Sequence, residues 1–234
     1  MNALYIQEIV DIMERNRQIY DLLKHCPYEI LRQWVTYAYE SGHVIFRQGD
    51  VQDSFFIVVE GLLDINVLAE NGRKYSQATY EKGDLLGELE IFDLRPFVCN
   101  VEALTDVKLI GLKRDYFMKW IERDTHFSTR FMRELSALFY RLSEKAGEDS
   151  LYSLYHRICR FLVRSLAHGV RQVDGIKVTV DKHQLSHQFA VTPRSVNRIL
   201  KNLSEQKIII SDNDEIIVTD VDKLKREEAR SRLI

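Results

Sequence analysis

The stretch VTPRSVNRILKNL, residues 191–203, combines an apolar stripe and a basic face on one predicted helix. Its aliphatic side chains recur at i, i+3, i+4 and i+7, the spacing of a helix face that packs on a core. Thr192 and Pro193 stand before them, and these residue types favour the N-cap and the first position of a helix. The opposite face carries Arg194, Asn197, Arg198 and Lys201. The spacing alone is compatible with a solvated surface or with a binding surface.

A shorter helix is predicted directly before this one, over DKHQLSHQFA at residues 181–190. Asp181 is its expected N-cap, and Gln184 stands at the capping-box position. Leu185 and Phe189 are spaced to pack inward, and a tight turn through 190–191 leads into the basic helix. Two helices joined in this way match the helix-turn-helix, whose second helix enters the major groove of DNA.

The segment KIIISDNDEIIV, residues 207–218, contains two β-branched runs around the turn-forming residues SDND. This pattern predicts a β-hairpin. A helix-turn-helix followed by a hairpin is a winged helix.

Charge is distributed unevenly along the chain. Residues 151–234 contain 15 Lys and Arg against 10 Asp and Glu, a net charge of +5. Residues 1–150 contain 18 Lys and Arg against 25 Asp and Glu, a net charge of −7. The basic excess therefore lies with the predicted recognition helix, as a surface that binds phosphates requires.

Composition and motifs argue against a membrane protein, a disulfide-rich or metal-binding protein and an enzyme. No apolar run approaches the roughly 18 to 20 residues that span a bilayer, and the N-terminus lacks a signal-peptide core, so we expect a cytoplasmic protein with no membrane partner. Cys26, Cys99 and Cys159 are scattered without CxxC spacing, which predicts buried small side chains rather than a disulfide framework, a metal site or redox sensors. Because nucleophile elbows, phosphate loops and metal-ligand spacings are missing, we expect no enzyme.

The region before the winged helix contains three successive sequence patterns: helical, β-rich and again helical. Residues 3–35 are predicted to be helical with a break near Pro27, and residues 37–113 consist of short β-rich runs beside glycines, which is typical of a small barrel or roll. A proline-free stretch after Arg114 predicts a long helix that packs against a copy of itself, with the alternative that it lies on its own barrel. Its apolar seam consists of Phe127, Phe131, Leu135, Leu138 and Leu142.

Three segments in this order resemble the Crp/Fnr family of bacterial transcription regulators over about residues 18–219. They are GHVIFRQGDVQDSFFIVVEGLLDINVL at 42–68, GDLLGELEIF at 83–92 and VTPRSVNRILKNLSEQKIII at 191–210. The resemblance implies an α+β fold with N-terminal helices and a jelly-roll-like, cyclic-nucleotide-binding-type β-roll over 1–125. A central dimerisation helix and hinge would follow over 126–152, with the hinge near 148–153, and a winged helix-turn-helix domain over 153–234.

The resemblance also implies a function: a homodimer that binds double-stranded DNA at a palindromic operator and meets RNA polymerase. A regulator that needs no ligand is one alternative. Another is an effector-sensing or protein-interaction module whose winged helix does not bind DNA.

Only some of the DNA-reading residues of the family have a matching residue in this sequence. Arg198 falls on the arginine that reads guanine, whose guanidinium fork pairs with two base acceptors. Arg194 replaces an acidic residue of the family, so we expect a different half-site. The resemblance places Asn197 near a base, Thr192 and Ser195 near phosphate, and Lys201 where it adds sequence-independent attraction.

The effector pocket departs further from the family. Glu88 matches the glutamate that binds the ribose of cyclic AMP, but Phe97 and Val98 stand where an Arg-Ser or Arg-Thr pair binds the phosphate. A buried phosphate without a charge-assisted partner is costly, so we expect that cyclic AMP is not the effector and leave the effector unnamed. The resemblance assigns the pocket to Gly87, Glu88, Leu89, Val98, Cys99, Leu142 and Ser143. An iron–sulfur cluster would need four cysteines, and no cofactor is assigned.

Overall fold

The computed structural model describes residues 3–212 and 215–232, and the chain forms two compact units. The first unit contains the residues up to 69 together with 77–140, and the second contains 70–76 and the residues from 141 onward. None of the helices within 3–212 and 215–232 combines the length and the hydrophobicity that a bilayer-spanning helix needs.

The first unit begins with helices and continues into antiparallel strands. The helices are α1 (Ala3–Arg15), α2 (Arg17–Leu23) and α3 (Tyr28–Leu31), which confirms the predicted helical region and its break near Pro27. The strands are β1 (Val35–Tyr39), β2 (Val44–Phe46), β3 (Ser54–Glu60), β4 (Leu63–Leu68), β5 (Lys74–Tyr80), β6 (Leu85–Leu86), β7 (Asn100–Ala103) and β8 (Val107–Lys113). They are followed by α4 (Arg114–Arg123) and α5 (Thr125–Leu151). Residues 74–76 of β5 and residues 141–151 of α5 belong to the second unit.

The strands form two sheets, in the orders β1-β8-β3-β6 and β2-β7-β4-β5. Strand β3 is buried on both faces, because side chains alternate across a strand. Phe55 and Ile57 pack into the cluster that contains the helices, whereas Phe56 and Val58 pack into the cluster formed with the other sheet. This double coverage accounts for the continuous apolar run in β3, and the predicted roll is confirmed.

Glycines at the strand ends adopt backbone conformations that other residues avoid. Gly61, between β3 and β4, has a φ of 90°, in the left-handed region. A Cβ atom at this position would lie 2.2 Å from the carbonyl oxygen of Asp106. The turn therefore excludes every residue with a side chain, both by its conformation and by the close backbone approach.

Helix α5 differs from the prediction in the role of its apolar seam. Phe127 and Phe131 are buried in the core of their own unit, and Leu135 packs against the same cluster. The indole of Trp120 stacks on Phe127 with ring centroids 3.5 Å apart. The prediction that the first half of this seam faces a second copy is therefore wrong, because these side chains cover the roll of the same chain.

The connection between α5 and the next helix, α6 (Leu154–Ser165), is shorter than the predicted hinge. Residues 147–150 are helical, so only Tyr152 and Ser153 interrupt the two helices. The hydroxyl of Ser153 caps α6 by accepting from the backbone N–H of His156 at 3.3 Å. Beside this connection, the Asp149 carboxylate pairs with Arg157 at 2.7 Å.

The second unit contains the elements of the predicted winged helix. After α6 come β9 (Val170–Gln172), β10 (Gly175–Thr179), α7 (Lys182–Gln188), α8 (Pro193–Glu205), β11 (Ile209–Asp212), β12 (Glu215–Val218) and α9 (Val221–Ser231). Strands β11 and β12 form the predicted antiparallel hairpin within a sheet of order β11-β12-β10-β9. Residues 213–214 of the predicted SDND turn lie outside the described residues. The β-rich N-terminal part, the long helix and the helix-turn-helix confirm the α+β fold class.

Candidate nucleic-acid interface

The first helix of the helix-turn-helix, α7, begins at the predicted cap. The Asp181 carboxylate accepts hydrogen bonds from the backbone N–H groups of His183 at 2.8 Å and Gln184 at 3.1 Å. Leu185 and Phe189 are buried, as their spacing predicts. The carboxylate satisfies N–H groups that the first turn of a helix leaves without partners, so it fixes where α7 starts.

A tight turn between α7 and α8 sets the direction in which α8 leaves α7. Ala190 has a φ of 52°, and the backbone N–H of Val191 donates to the carbonyl of Ser186 at 2.9 Å. This bond resembles the cap that commonly ends a helix at a left-handed residue. The two helices are therefore joined by a short, hydrogen-bonded connection rather than by a loose loop.

Helix α8 is anchored at its start and along one face. Thr192 Oγ1 accepts from the backbone N–H of Ser195 at 3.3 Å, and Pro193 takes the first helical position. The four aliphatic side chains of the sequence stripe are buried in the core of the second unit: Val196, Ile199, Leu200 and Leu203. Both predictions are confirmed, and the packing of this stripe leaves the opposite face of α8 outward.

The outward face of α8 is a continuous polar and basic surface. Arg194, Asn197, Arg198 and Lys201 are exposed and Ser195 is half-buried, and together these five residues line one surface hollow of about 540 Å³. Lys201 has a weak contact with Glu205 at 3.8 Å, and both side chains are mostly exposed. Within 3–212 and 215–232, no carboxylate pairs with Arg194 or Arg198. The two guanidinium groups are thus available to an anionic or hydrogen-bond-accepting partner.

Thr192 is also exposed, but its hydroxyl is already engaged. It lies 3.1 Å from the hydroxyl of Ser195 in addition to capping the helix. A phosphate at this position would therefore meet a pair of coupled hydroxyl groups at the N-terminus of α8, where the helix dipole favours an anion.

The predicted effector pocket has a buried acidic centre in the first unit. Glu88 is buried, and its Oε1 accepts from the phenol of Tyr80 at 3.1 Å. Burial raises the pKa of Glu88 to about 8. Glu90 is also buried, and burial raises its pKa, while backbone N–H groups including that of Val98 lower it. Tyr80 and Glu90 were not predicted, because nothing in the local sequence pattern marks their burial.

The other predicted pocket residues are not all inside. Leu89 and Val98 are 51% and 59% exposed, whereas Cys99 is buried with its Sγ 3.2 Å from Oε1 of Gln77. Gly87 has a φ of 79°, and a Cβ there would approach the carbonyl oxygen of Ser54 at 2.9 Å. Leu142 is half-buried and Ser143 is exposed on α5, in the second unit. Only Gly87, Glu88, Leu89, Val98 and Cys99 of the predicted set belong to the first unit.

One of the two positions that the resemblance aligns with a phosphate-binding pair holds an aromatic core residue. Phe97 is buried and stacks on Phe46 with ring centroids 4.9 Å apart. Arg95, two residues earlier, is exposed and lies 3.6 Å from Asp93.

The three cysteines are free and buried, as predicted. Burial raises the pKa of Cys26 and Cys159 to about 12 and that of Cys99 to about 11. The thiolate is the reactive form of cysteine, so these three thiols are poorly suited to redox chemistry at neutral pH.

Comparison with known proteins identifies both units. Residues 37–124 match the cyclic nucleotide-binding domain, and residues 156–227 match the Crp-like helix-turn-helix domain. An anaerobic regulatory protein of Bacillus subtilis is 25% identical over 213 residues, which cover 88% of this chain and 90% of that protein. A CRP-like cAMP-activated global transcriptional regulator of Mycobacterium tuberculosis is 22% identical over 188 residues, which cover 79% of this chain and 84% of that protein.

A solved structure shares the fold across both domains. It is a variant of CooA from Carboxydothermus hydrogenoformans, with a TM-score of 0.70 at 18% identity, over 89% of this chain and 94% of that chain. The two domains follow each other in this order, and the relatives include transcription regulators. The chain therefore belongs to the Crp/Fnr family of transcription regulators.

Proposed function

We propose that this protein is a cytoplasmic, homodimeric regulator that binds a roughly palindromic operator with one α8 helix from each subunit. The observation that carries the proposal is the outward face of α8, whose opposite face is buried and whose start is capped. A rigid helix with exposed Arg and Asn side chains is suited to reading base edges in the major groove. The relatives are named as regulators rather than as enzymes, which supports transcription control without catalysis.

Each residue of the face has its own role in this proposal. Arg198 reads a guanine through its guanidinium fork, and Arg194 and Asn197 contact neighbouring bases. Lys201 attracts the phosphate backbone without reading sequence. Thr192 and Ser195 contact a phosphate at the start of α8. RNA polymerase is the further partner in this proposal.

The dimer is supported by exposed apolar side chains on α5. Met132, Phe139 and Tyr140 are 58%, 74% and 65% exposed in a single chain. Met132 and Phe139 are seven residues apart, the repeat of a helix that packs along a partner helix. Large apolar side chains exposed along one helix favour an interaction site, and a two-fold dimer would place two copies of α8 on half-sites about one helical turn apart.

The effector of this regulator, in our proposal, is not cyclic AMP. The phosphate of cyclic AMP needs a charge-assisted partner, and the two positions carry Phe97, which packs in the core, and Val98. The buried carboxyl groups of Glu88 and Glu90 provide no positive charge that could replace this partner. The protein therefore responds to a different effector or binds DNA without one.

The test is selection from a pool of random-sequence DNA duplexes with the purified full-length protein, without added ligand, at low and at moderate salt. We expect an enriched two-fold symmetric motif, and affinity that falls steeply with salt as counterions are released. The Arg198→Ala variant serves as the matched control, because it should not enrich the same motif. An absence of salt-dependent duplex binding would favour the sensing or protein-interaction module instead.

A further inference from the structure

A second basic surface lies within the first unit, between α2 and the first turns of α5. It forms an open cavity of about 780 Å³. One acidic residue, Asp21, lines it among the described residues, and the remaining charged or titratable lining residues are basic. These are Arg17, Lys24, His126, Arg130 and Arg133. The two pairs of Arg and Lys side chains from α2 and α5 bring four positive charges against the one negative charge of Asp21.

Asp21 pairs with both cations on the α2 side of the cavity. Its carboxylate pairs with Arg17 at 3.2 Å and with Lys24 at 3.1 Å, one turn to either side on the helix. Hydrogen bonding by Lys24 is the largest cause of a lowered Asp21 pKa, so the carboxylate stays charged. One acid thus neutralises at most one of the two cations on this side of the cavity.

The α5 side of the cavity has no such acid. Arg130 and Arg133 stand on successive turns, and no carboxylate pairs with either of them in the described part of the chain. Arg130 is half-buried, which weakens the screening of its charge by water. Like charges one turn apart repel, so an anion bound between the two guanidinium groups would relieve a cost that the free protein carries.

The N-terminus of α5 does not by itself make this site. The Asp124 carboxylate accepts from the backbone N–H of Phe127 at 2.9 Å and so occupies part of the helix start. Thr129, which also lines the cavity, donates its hydroxyl to the carbonyl of Thr125 at 2.7 Å. Binding would therefore depend on the Arg and Lys side chains.

We propose that this cavity binds a small ligand with a diphosphate group. Its volume lies in the range of small-molecule sites, about 300–1,000 Å³. Guanidinium forks pair with phosphate oxygens through two parallel hydrogen bonds, and several cations around one cavity favour a ligand with more than one negative charge. The proposal does not depend on DNA binding by α8.

The test is isothermal titration calorimetry of the full-length protein with inorganic pyrophosphate at low ionic strength. We expect one site per chain, weakened by added NaCl. The double variant Arg130→Gln/Arg133→Gln should bind at least about tenfold more weakly, because each arginine provides charge-assisted hydrogen bonds. A nucleoside diphosphate is titrated in parallel. Equal affinity for both ligands would assign recognition to the diphosphate alone, and tighter nucleotide binding would add a contact to the base or sugar.

One control separates this site from general attraction. Arg32→Gln/Arg47→Gln removes the same charge at two exposed positions that do not line the cavity. It should bind pyrophosphate as the unmodified protein does. The proposal fails if pyrophosphate does not bind, or if the control loses as much affinity as Arg130→Gln/Arg133→Gln. Thermal unfolding and circular dichroism establish that each variant is folded.

Discussion

The phenol of Tyr80 donates a buried hydrogen bond to the carboxyl group of Glu88, with 3.1 Å between the oxygens. Both side chains are less than one-tenth exposed. Burial raises the pKa of Glu88 to about 8, and the hydrogen bonds from its own backbone and from Tyr80 offset only part of that effect. The negative charges of Glu90 and Asp84 act in the same direction as burial. Glu88 is therefore a carboxyl group that the fold keeps protonated well above its ordinary pKa.

This pKa predicts how stability depends on pH. The folded state binds the Glu88 proton more tightly than the unfolded state, whose pKa is near 4.5. The free energy of unfolding should therefore fall as the pH rises from about 4.5 to about 8. Glu88→Gln keeps an acceptor for Tyr80 and removes the titration. We expect it to be more stable than the unmodified protein at pH 8 by a few kcal/mol, since a tenfold change in proton affinity corresponds to about 1.4 kcal/mol.

Urea unfolding at a series of pH values between 5 and 8 would measure this effect. Asp53→Asn is a suitable control, because the hydrogen bond from Lys113 lowers the pKa of Asp53 and keeps its titration below that window. An unchanged slope in Glu88→Gln would show that Glu88 does not titrate between these pH values.

Arg198 should carry sequence information in DNA binding. Arg198→Ala removes an exposed guanidinium group from the outward face of α8 without touching the buried stripe. We expect a loss of roughly 1–3 kcal/mol in binding to the selected operator and relaxed preference at one position of each half-site. Fluorescence anisotropy with operator duplexes changed at single positions would measure both. An unchanged operator affinity would remove Arg198 from the base contacts.

Lys201 should act on DNA in a different way from Arg198. It lies on the same face one turn later, and its charge is only weakly balanced by Glu205. Lys201→Ala should weaken binding to the operator and to random duplex about equally. It should also reduce by about one the number of counterions released on binding, as read from the slope of affinity against salt. Preferential loss of operator binding would contradict a phosphate role for this side chain.

Phe139 should be part of the dimer contact on α5. A glutamate there would place a charge within an apolar surface that binds its own copy, so Phe139→Glu should shift the protein towards monomers and weaken binding to the two-fold symmetric operator. Ala137→Glu adds the same charge to the same helix about 200° around its axis, on an exposed position. Sedimentation equilibrium of both variants would test this. Equal dimerisation of the two variants would exclude Phe139 from the interface.

The helix-turn-helix could be predicted residue by residue because its determinants are local. Asp181 and Thr192 cap helices through bonds to residues two or three positions away. The buried stripe of α8 follows from the 3.6-residue period of one helix. Such signals need no knowledge of the rest of the fold. For the roll, the sequence predicts short strands beside glycines but not how they pair. The strand order β1-β8-β3-β6 joins residues that lie far apart in the chain.

The features that sequence reasoning missed depend on distant contacts. Phe127 has the spacing of a helix seam whether it faces a partner or its own roll, and only the position of Trp120 decides between them. The buried state of Glu90 and its approach to Val98 depend on how a loop folds. The cavity between α2 and α5 joins Lys24 and Arg130, which lie about a hundred residues apart in the sequence. No local period or cap marks any of these.

Phe127 and Phe139 should therefore respond differently to truncation, although they lie on the same helix. Phe127→Ala empties a fully buried site against Trp120 and should cost about 3–5 kcal/mol of folding free energy at any protein concentration. Phe139→Ala removes an exposed ring, so its cost should grow only under conditions where dimer formation stabilises the folded chain, and its effect on the unfolding midpoint should vary with protein concentration. Urea unfolding of both variants at two protein concentrations would distinguish the two roles. A concentration-dependent loss for Phe127→Ala would instead place that ring in the dimer contact.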